Sequence, residues 1–250
     1  SKHKDLEVAN LDDIFTGRLK EEIPPALEAF GEALADKEKL ITIDYSDNAF
    51  GPPGVRAFLP LIAKNHSIRN LRVNNVGLTN RGGSLVARAL LGMPSPTDEE
   101  LESDVTLEKA DAGEPSKYCK ITQIIAGRNR LEDLGAVALG KAFGHLKTLE
   151  SVRIPQNGIN PRGSIALAAG LAENKGLTEL DIYDNNFNVD GTKALAKAIP
   201  KLSALKVLNM GDCLPGDGLD DIFEALHTQP SLEELNLEYD EIEDERCTSL

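Results

Sequence analysis

The sequence contains no tryptophan, and aromatic residues make up only 4% of its 250 positions. Large aromatic side chains usually fill much of the volume of a globular core. Their scarcity disfavours one deep core and favours a thin core tiled by Leu, Ile, Val and Ala, as in chains built from stacked layers. We therefore expect one elongated unit rather than two compact domains.

Cysteine and long apolar runs are also scarce. The three cysteines, Cys119, Cys213 and Cys247, are widely spaced, which indicates no disulfide framework and favours a reducing compartment. The sequence has no run of about 20 apolar residues and no charged-then-apolar leader, so it predicts neither a membrane span nor a secretory signal. Together these features predict a cytoplasmic protein.

Basic residues are outnumbered by acidic ones, 27 to 41, giving a formal net charge of −14. Phosphate backbones and anionic membranes attract proteins through clustered Lys and Arg, so nucleic acid and membranes are not predicted partners. A basic protein surface fits better, because complementary charge speeds encounter. The alternative is that the acidity only promotes solubility.

An aliphatic phrase recurs about every 28 residues, three aliphatic positions followed by a slot that is most often Asn. Its clear copies begin at Leu40, Ile68, Ile121, Leu149, Leu177, Leu205 and Leu232, and a divergent copy lies at 6–11. Apolar residues at helical spacing follow each copy. This pattern predicts an α/β leucine-rich repeat solenoid, a ribonuclease-inhibitor-like crescent with parallel strands on the concave face and helices on the convex face.

The repeat predicts a single domain over residues 1–250 with one insertion. The interval from Ile68 to Ile121 exceeds the period, and the excess falls at about 92–116, in a stretch rich in Pro, Glu and Asp. Such a segment buries too little apolar surface to offset its ordering entropy. We expect an acidic, flexible loop there.

Two rows of residues follow from the register of the phrase. The slot Asn residues, Asn48, Asn129, Asn157 and Asn185, are predicted to turn inward as a structural ladder that satisfies backbone groups. The residue before each slot is predicted to lie on the rim where strand passes into loop. This row is Asp47, Asn75, Arg128, Gln156, Asp184 and Asp212. It is a candidate docking line, with simple solvated polarity as the alternative.

No catalytic or cofactor constellation is found. The stretch Gly135 to Lys141 matches G-x-x-x-x-G-K, but Ala142 stands where the magnesium-binding Ser or Thr belongs, and its periodicity is helical. The four histidines pair with no Cys or carboxylate at metal-ligand spacing. Asp184, Asn186 and Asn188 have the spacing that opens a calcium loop, but Val189 stands where the turn needs Gly and no Glu closes the set. The sequence predicts no cofactor and no active site of its own.

Several phrases are more specific than the period. The segments DIFTGRLKEEIPPAL, SDNAFGP, GRNRLE, QNGI and GDCL occur in that order along nearly the whole chain. They closely resemble the GTPase-activating proteins of the small GTPase Ran. The resemblance implies that one edge of the crescent binds Ran-GTP and orders Ran's own catalytic Gln without an arginine finger. GTP and magnesium would be held by Ran, making the chain an activator rather than an enzyme.

The resemblance also implies roles for single residues. It assigns to Asn75 the positioning of the GTPase's catalytic machinery, and it makes Arg18, Lys20, Arg130 and Asp184 partner contacts. The rim row adds Asp47, Arg128 and Asp212 as partner contacts. A turn-forming Asn75, an Arg18 that only anchors its loop and an Arg130 paired with an acidic neighbour are the structural alternatives.

One departure affects the expected site directly. Val76 occupies the ladder slot beside Asn75, so one inward amide is lost there and the Asn75 loop is expected to shift. A Ran-binding protein is a second candidate partner, and association with the nuclear envelope is an alternative location. The rival function is a non-catalytic leucine-rich repeat scaffold or inhibitor that binds a protein.

Overall fold

The computed structural model describes residues 3–93 and 118–240, in which short strands alternate with helices. The strands form one parallel sheet in chain order, so each strand pairs with the next along the sequence. They are β1 (Val8–Asn10), β2 (Thr42–Asp44), β3 (Asn70–Arg72), β4 (Gln123–Ile125), β5 (Ser151–Arg153), β6 (Glu179–Asp181), β7 (Val207–Asn209) and β8 (Glu234–Asn236).

The helices pack against one another in the same order and return the chain from each strand to the next. They are α1 (Ile23–Leu34), α2 (Gly51–Lys64), α3 (Thr79–Leu90), α4 (Glu132–Leu146), α5 (Pro161–Leu171), α6 (Asn188–Ala198) and α7 (Gly218–Leu226), and a 3₁₀ turn, Ile199–Lys201, extends α6. Proline opens α1, α2 and α5, where its fixed φ suits the first turn and its missing N–H costs nothing.

The core lies between the strands and the helices and follows the predicted phrase. Ile43, Leu71, Ile124 and Val152 are successive central strand residues in register, and each is at most 1% exposed. Three aromatic rings meet in the second repeat, where Tyr45 stacks on Phe58 at a centroid distance of 5.0 Å and Phe50 packs edge-on against both. The leucine-rich repeat solenoid predicted from the sequence is confirmed.

The ladder amides are buried and bond backbone groups of adjacent repeats. Asn157 Nδ2 donates to the carbonyls of Ala126 (3.0 Å) and Ile154 (2.9 Å), while its Oδ1 accepts the N–H of Asn129 at 3.0 Å. Asn185 repeats the pattern one turn on, accepting the N–H of Asn157 at 3.1 Å. The inward orientation predicted for the slot Asn residues is therefore confirmed.

Other predictions fall partly or wholly outside the described residues. Of the acidic insertion predicted at 92–116, residues 94–116 lie outside them, as does Cys247. The single-domain organisation and the flexible insertion stay predictions. The Gly135 to Lys141 stretch lies within α4, so its helical interpretation is confirmed.

Candidate partner-binding rim

The rim row shares one unusual backbone conformation. Each member has a left-handed φ, which costs an ordinary L residue free energy but is tolerated best by Asn and Asp. The values are Asp47 56°, Asn75 48°, Arg128 56°, Gln156 55°, Asp184 52° and Asp212 54°. The repeat therefore places these six residues at equivalent positions along one edge, as the register predicted.

Backbone hydrogen bonds join the rim loops to one another. The N–H of Asp47 donates to the carbonyl of Asn74 at 2.8 Å, and that of Asn75 donates to the carbonyl of Gly127 at 2.9 Å. The same bond recurs at Arg128, which donates to Pro155 at 3.0 Å. Because each loop is bonded to its successor, the row is a fixed edge rather than a set of independent turns.

At the centre of the edge, three predicted site residues meet. Asp47 Oδ1 accepts a hydrogen bond from Asn75 Nδ2 at 2.9 Å and another from an Arg128 guanidinium nitrogen at 3.1 Å. We call Asp47, Asn75 and Arg128 the rim cluster. The hydrogen bond to Asp47 orients the Asn75 amide, because its NH2 group faces the carboxylate. The side-chain oxygen of Asn75 makes no hydrogen bond within the described residues.

The loop around Asn75 is supported despite Val76. Asn129 Oδ1 accepts the N–H groups of Val76 (3.1 Å) and Leu78 (3.2 Å), and its Nδ2 donates to the Val73 carbonyl at 2.7 Å. Asn74 Oδ1 adds a bond from the Gly127 N–H at 2.6 Å. Amides from neighbouring positions thus hold the segment after Asn75, and Val76 itself is fully buried.

Acidic groups flank the cluster on both sides. Toward the N-terminus, partial desolvation and then the charges of Asp44, Asp47 and Asp13 raise the pKa of Asp12. Negative charge is therefore concentrated beside the rim cluster on its β1 side.

The other flank carries Asp184, whose Oδ2 accepts a bond from Gln156 Nε2 at 2.8 Å. Desolvation, followed by nearby Tyr239, Glu238, Asp212 and Asp184, raises the pKa of Tyr183 there. The rim therefore has Arg128 near its centre and carboxylates toward its ends.

Three predicted contact residues stand apart from this network. Arg18 and Lys20 are exposed in the segment between β1 and α1, and Arg130 is exposed two residues beyond Arg128. Within the described residues their charged groups form no hydrogen bond or ion pair. Neither a hydrogen bond by which Arg18 would anchor its loop nor an ion pair of Arg130 with an acidic neighbour is present among the described residues.

The same backbone position occurs in two further repeats that sequence reasoning missed. Asp13, after β1, has φ 50°, and Tyr239, after β8, has φ 64° and is 70% exposed. The signal for both was the register itself, counted four residues beyond Ala9 and Leu235. The divergent first phrase, with Ile14 in the slot, obscured Asp13.

The described residues contain no group of three His, Cys, Asp or Glu side chains arranged to hold a metal ion. Among the helices described, none combines the length and the apolar composition needed to cross a membrane. Cys119 and Cys213 are buried, and burial raises the pKa of each thiol to about 12, so neither is a ready nucleophile.

The fold and its bonded edge define a leucine-rich repeat protein with a rigid polar rim. The chain is 41% identical over 159 residues to Ran GTPase-activating protein 1 of Xenopus laevis, a match covering 62% of this chain and 25% of the relative. It is 40% identical over 159 residues to Ran GTPase-activating protein 2 of Caenorhabditis elegans, covering 62% and 15%. The Drosophila melanogaster Ran GTPase-activating protein is 36% identical over 161 residues, covering 63% and 24%.

These similarities relate the chain to the Ran GTPase-activating proteins, the same family that the motifs of the sequence resemble. The chain spans about a quarter or less of the length of these three curated relatives. No protein-family model matches the chain.

Proposed function

We propose that this chain accelerates GTP hydrolysis by the small GTPase Ran, binding Ran-GTP through the rim and acting on the partner's active site. The observation that carries the proposal is the rim cluster, in which an Asn with a left-handed backbone has its amide oriented by a carboxylate. The similarity to proteins named for Ran activation supports the choice of GTPase.

Asn75 contributes an oriented hydrogen-bond acceptor. Its Nδ2 donates one hydrogen bond to Asp47, which fixes the direction of the amide and presents Oδ1 as an acceptor to a docking protein. An amide oxygen fixed in this way accepts a bond from the NH2 group of the GTPase's catalytic Gln and holds that side chain toward the attacking water. Positioning of this kind lowers the barrier because phosphoryl transfer depends on alignment and charge stabilisation.

The arginine on the rim suits support rather than insertion. Arg128 donates a hydrogen bond to Asp47, so the Asp47 carboxylate accepts from both Arg128 and Asn75. The bond from Arg128 keeps this carboxylate directed at Asn75. An arginine finger would instead need a guanidinium free to reach the phosphates. Arg128 therefore fits a supporting role in activation through the partner's Gln, with Arg18, Lys20, Arg130, Asp184 and Asp212 as contacts that dock Ran.

The remaining parts of the proposal follow from this role. GTP and magnesium belong to Ran, so this chain needs no cofactor and is an activator of another protein's reaction rather than an enzyme on its own account. We propose a cytoplasmic location, with nuclear-envelope association as the alternative, and a Ran-binding protein as a second partner. Nucleic acid and membrane lipid are not proposed partners.

The test is single-turnover hydrolysis by Ran loaded with GTP. Asn75→Ala removes the amide but adds strain at φ 48°, so Asn75→Gly, which tolerates that backbone, is the cleaner variant. Both should lose most of the acceleration. Gln156→Gly is the matched control, because it deletes an amide at the same backbone position, φ 55°, two repeats along. It should retain most of the acceleration.

The outcomes separate the candidate functions. Acceleration by the parent chain, lost in both Asn75 variants and kept in Gln156→Gly, supports the proposal. Binding of Ran-GTP without any acceleration by the parent chain would contradict it and favour a scaffold or inhibitor. Equal unfolding midpoints in urea for Asn75→Gly and the parent would exclude misfolding as the cause of a loss.

A further inference from the structure

On the helix face, away from the rim, a groove opens between α5 and α6. Its volume is about 500 Å³. The floor is apolar, formed chiefly by Ile165 and Ala168 of α5, by Ala172 directly after α5, and by Ala194 and Ala198 of α6. Ile165 is 45% exposed, so much of its side chain is open to a ligand in the groove. The groove is therefore an apolar surface without a described occupant.

The helices around the groove approach one another closely at glycine positions. A Cβ on Gly170 would lie only 1.8 Å from the carbonyl oxygen of Gly140, so α5 lies backbone to backbone against α4. Near its start, α5 also touches α6, where a Cβ on Gly191 would lie 2.1 Å from Ser164 Oγ. The helix α5 is therefore in close contact with both of its neighbours at these glycine positions.

A row of cations lines the α6 wall. Lys193, Lys197 and Lys201 are exposed and spaced four residues apart, which places them on one stripe of the helix and its 3₁₀ extension. Within the described residues none of the three forms an ion pair. Asp190 is the one acidic residue among the groove's lining, at the beginning of α6.

Unpaired like charges at this spacing cost helix stability of a few tenths of a kcal/mol per pair. In a chain with a net charge of −14, three adjacent lysines also form a local reversal of sign. Charge complementarity therefore selects a negatively charged occupant, and the apolar floor selects one with an aliphatic face. An amphipathic helix laid in a groove has both properties.

We propose that the α5/α6 groove binds an acidic amphipathic helix of a partner protein, with its aliphatic face on Ile165 and the alanines and its carboxylates along the lysine row. The site lies on the helix face, so it is independent of Asn75 and of the proposed action on Ran. A helix held there would tether a second protein while the rim remains open.

The test uses a fluorescent synthetic 16-residue helix with Leu at positions i, i+3, i+4 and i+7 and Glu elsewhere, measured by anisotropy. The parent chain should bind it, and a peptide with Lys in place of every Glu should not bind. The variant Lys193→Gln/Lys197→Gln/Lys201→Gln should bind about tenfold more weakly, since three exposed charge pairs are lost. Ala194→Trp, which fills the groove, should weaken binding without removing charge.

The control variant is Lys141→Gln/Lys147→Gln/Lys175→Gln, which changes the net charge equally at exposed positions outside the groove lining. It should bind the acidic peptide as the parent does. Equal weakening in both triple variants, or no effect of Ala194→Trp, would overturn the proposal by showing charge attraction alone. Binding only to vesicles of anionic lipid would also overturn it, as would displacement by a peptide of residues 94–117.

GTP hydrolysis by Ran, measured with the same variants as activators, separates this inference from the proposed function. The three lysine substitutions should leave acceleration unchanged, whereas Asn75→Gly should leave peptide binding unchanged. A loss of acceleration in the groove variants would contradict the independence of the two sites.

Discussion

At the scale of single residues, the rim cluster concentrates its constraint on one carboxylate oxygen. Asp47 Oδ1 accepts both Asn75 Nδ2 and Arg128, so the carboxylate acts as a hub for an amide and a cation that lie in the two following repeats. Exposed ion pairs contribute at most about 1 kcal/mol to stability. The Asp47–Arg128 ion pair acts instead through orientation. It holds the Asp47 carboxylate, and the bond from Asn75 to that carboxylate determines how the Asn75 amide faces a docking protein.

Replacing Asp47 should slow the activated reaction more than it weakens docking. Asp47→Gly removes the acceptor while suiting φ 56°, and it frees the Asn75 amide to rotate. We expect the maximal rate of Ran-GTP hydrolysis to fall about tenfold with a nearly unchanged half-saturating concentration. Asp47→Asn, which keeps an oxygen for Asn75 Nδ2, should recover part of the rate.

The opposite kinetic pattern would assign Asp47 a different role. If Asp47→Gly raised the half-saturating concentration and left the maximal rate unchanged, Asp47 would be a docking contact on Ran, as the sequence alone suggested. Titration of the activator in single-turnover assays separates the two parameters.

At the scale of the repeat element, the ladder amides stabilise each loop through several buried bonds. Asn129 bonds Val73, Val76, Leu78 and Gly127, and so connects two repeats beside the rim cluster. Asn129→Ala leaves these backbone groups unsatisfied. The free energy of unfolding should fall by about 3 kcal/mol, measured in urea. Asn186→Ala, at an exposed loop position, should change it by less than about 0.5 kcal/mol.

The last described repeat carries a carboxylate where the ladder has an amide. Asp240 Oδ1 accepts the N–H of Cys213 at 3.0 Å, while its buried Oδ2 has no partner within the described residues. Desolvation raises its pKa from 3.8 to about 6, although bonds from Cys213 and Leu214 oppose the shift. The folded chain therefore binds this proton more tightly than the unfolded chain.

The sign of the pH dependence follows. Between about pH 4 and pH 6 folding takes up a proton at Asp240, so its contribution to stability falls as the pH rises through that window and stays low above it. Asp240→Asn should remove this slope and raise the unfolding midpoint at pH 7. Urea unfolding at pH 4, 5, 6 and 7 measures it. An identical slope in the variant would exclude Asp240 as its source.

The sequence repeat predicted the strands, the helices and the rim row well, but it did not predict the side-chain hydrogen bonds between them. Counting from Val73 placed Asn75 one residue before the slot, and the left-handed φ of the whole row has the same origin. The bond from Asn75 to Asp47 and the support of Val76 by Asn129 depend on side-chain geometry across 28 and 53 residues of sequence. The register could show that these residues were neighbours, but not which atoms meet.

At the scale of the whole molecule, the acidic surplus should govern how quickly the partner arrives. The charge of −14 is expressed along the rim by Asp13, Asp47, Asp184 and Asp212. Screening shortens the reach of such charges to about 10 Å at 0.1 M salt and about 3 Å at 1 M. Association with a complementary basic surface should therefore slow as salt rises, while the chemistry at the centre changes little.

The prediction is a salt-dependent association rate with Ran-GTP. Stopped-flow measurements from 0.05 to 0.5 M salt should show a fall of about tenfold. Asp184→Asn/Asp212→Asn should flatten that dependence, because it removes two rim charges. Asp221→Asn/Glu224→Gln, on exposed positions of α7, changes the net charge equally and should preserve the parent's slope. Equal flattening by both pairs would mean that net charge, not the rim, steers the encounter.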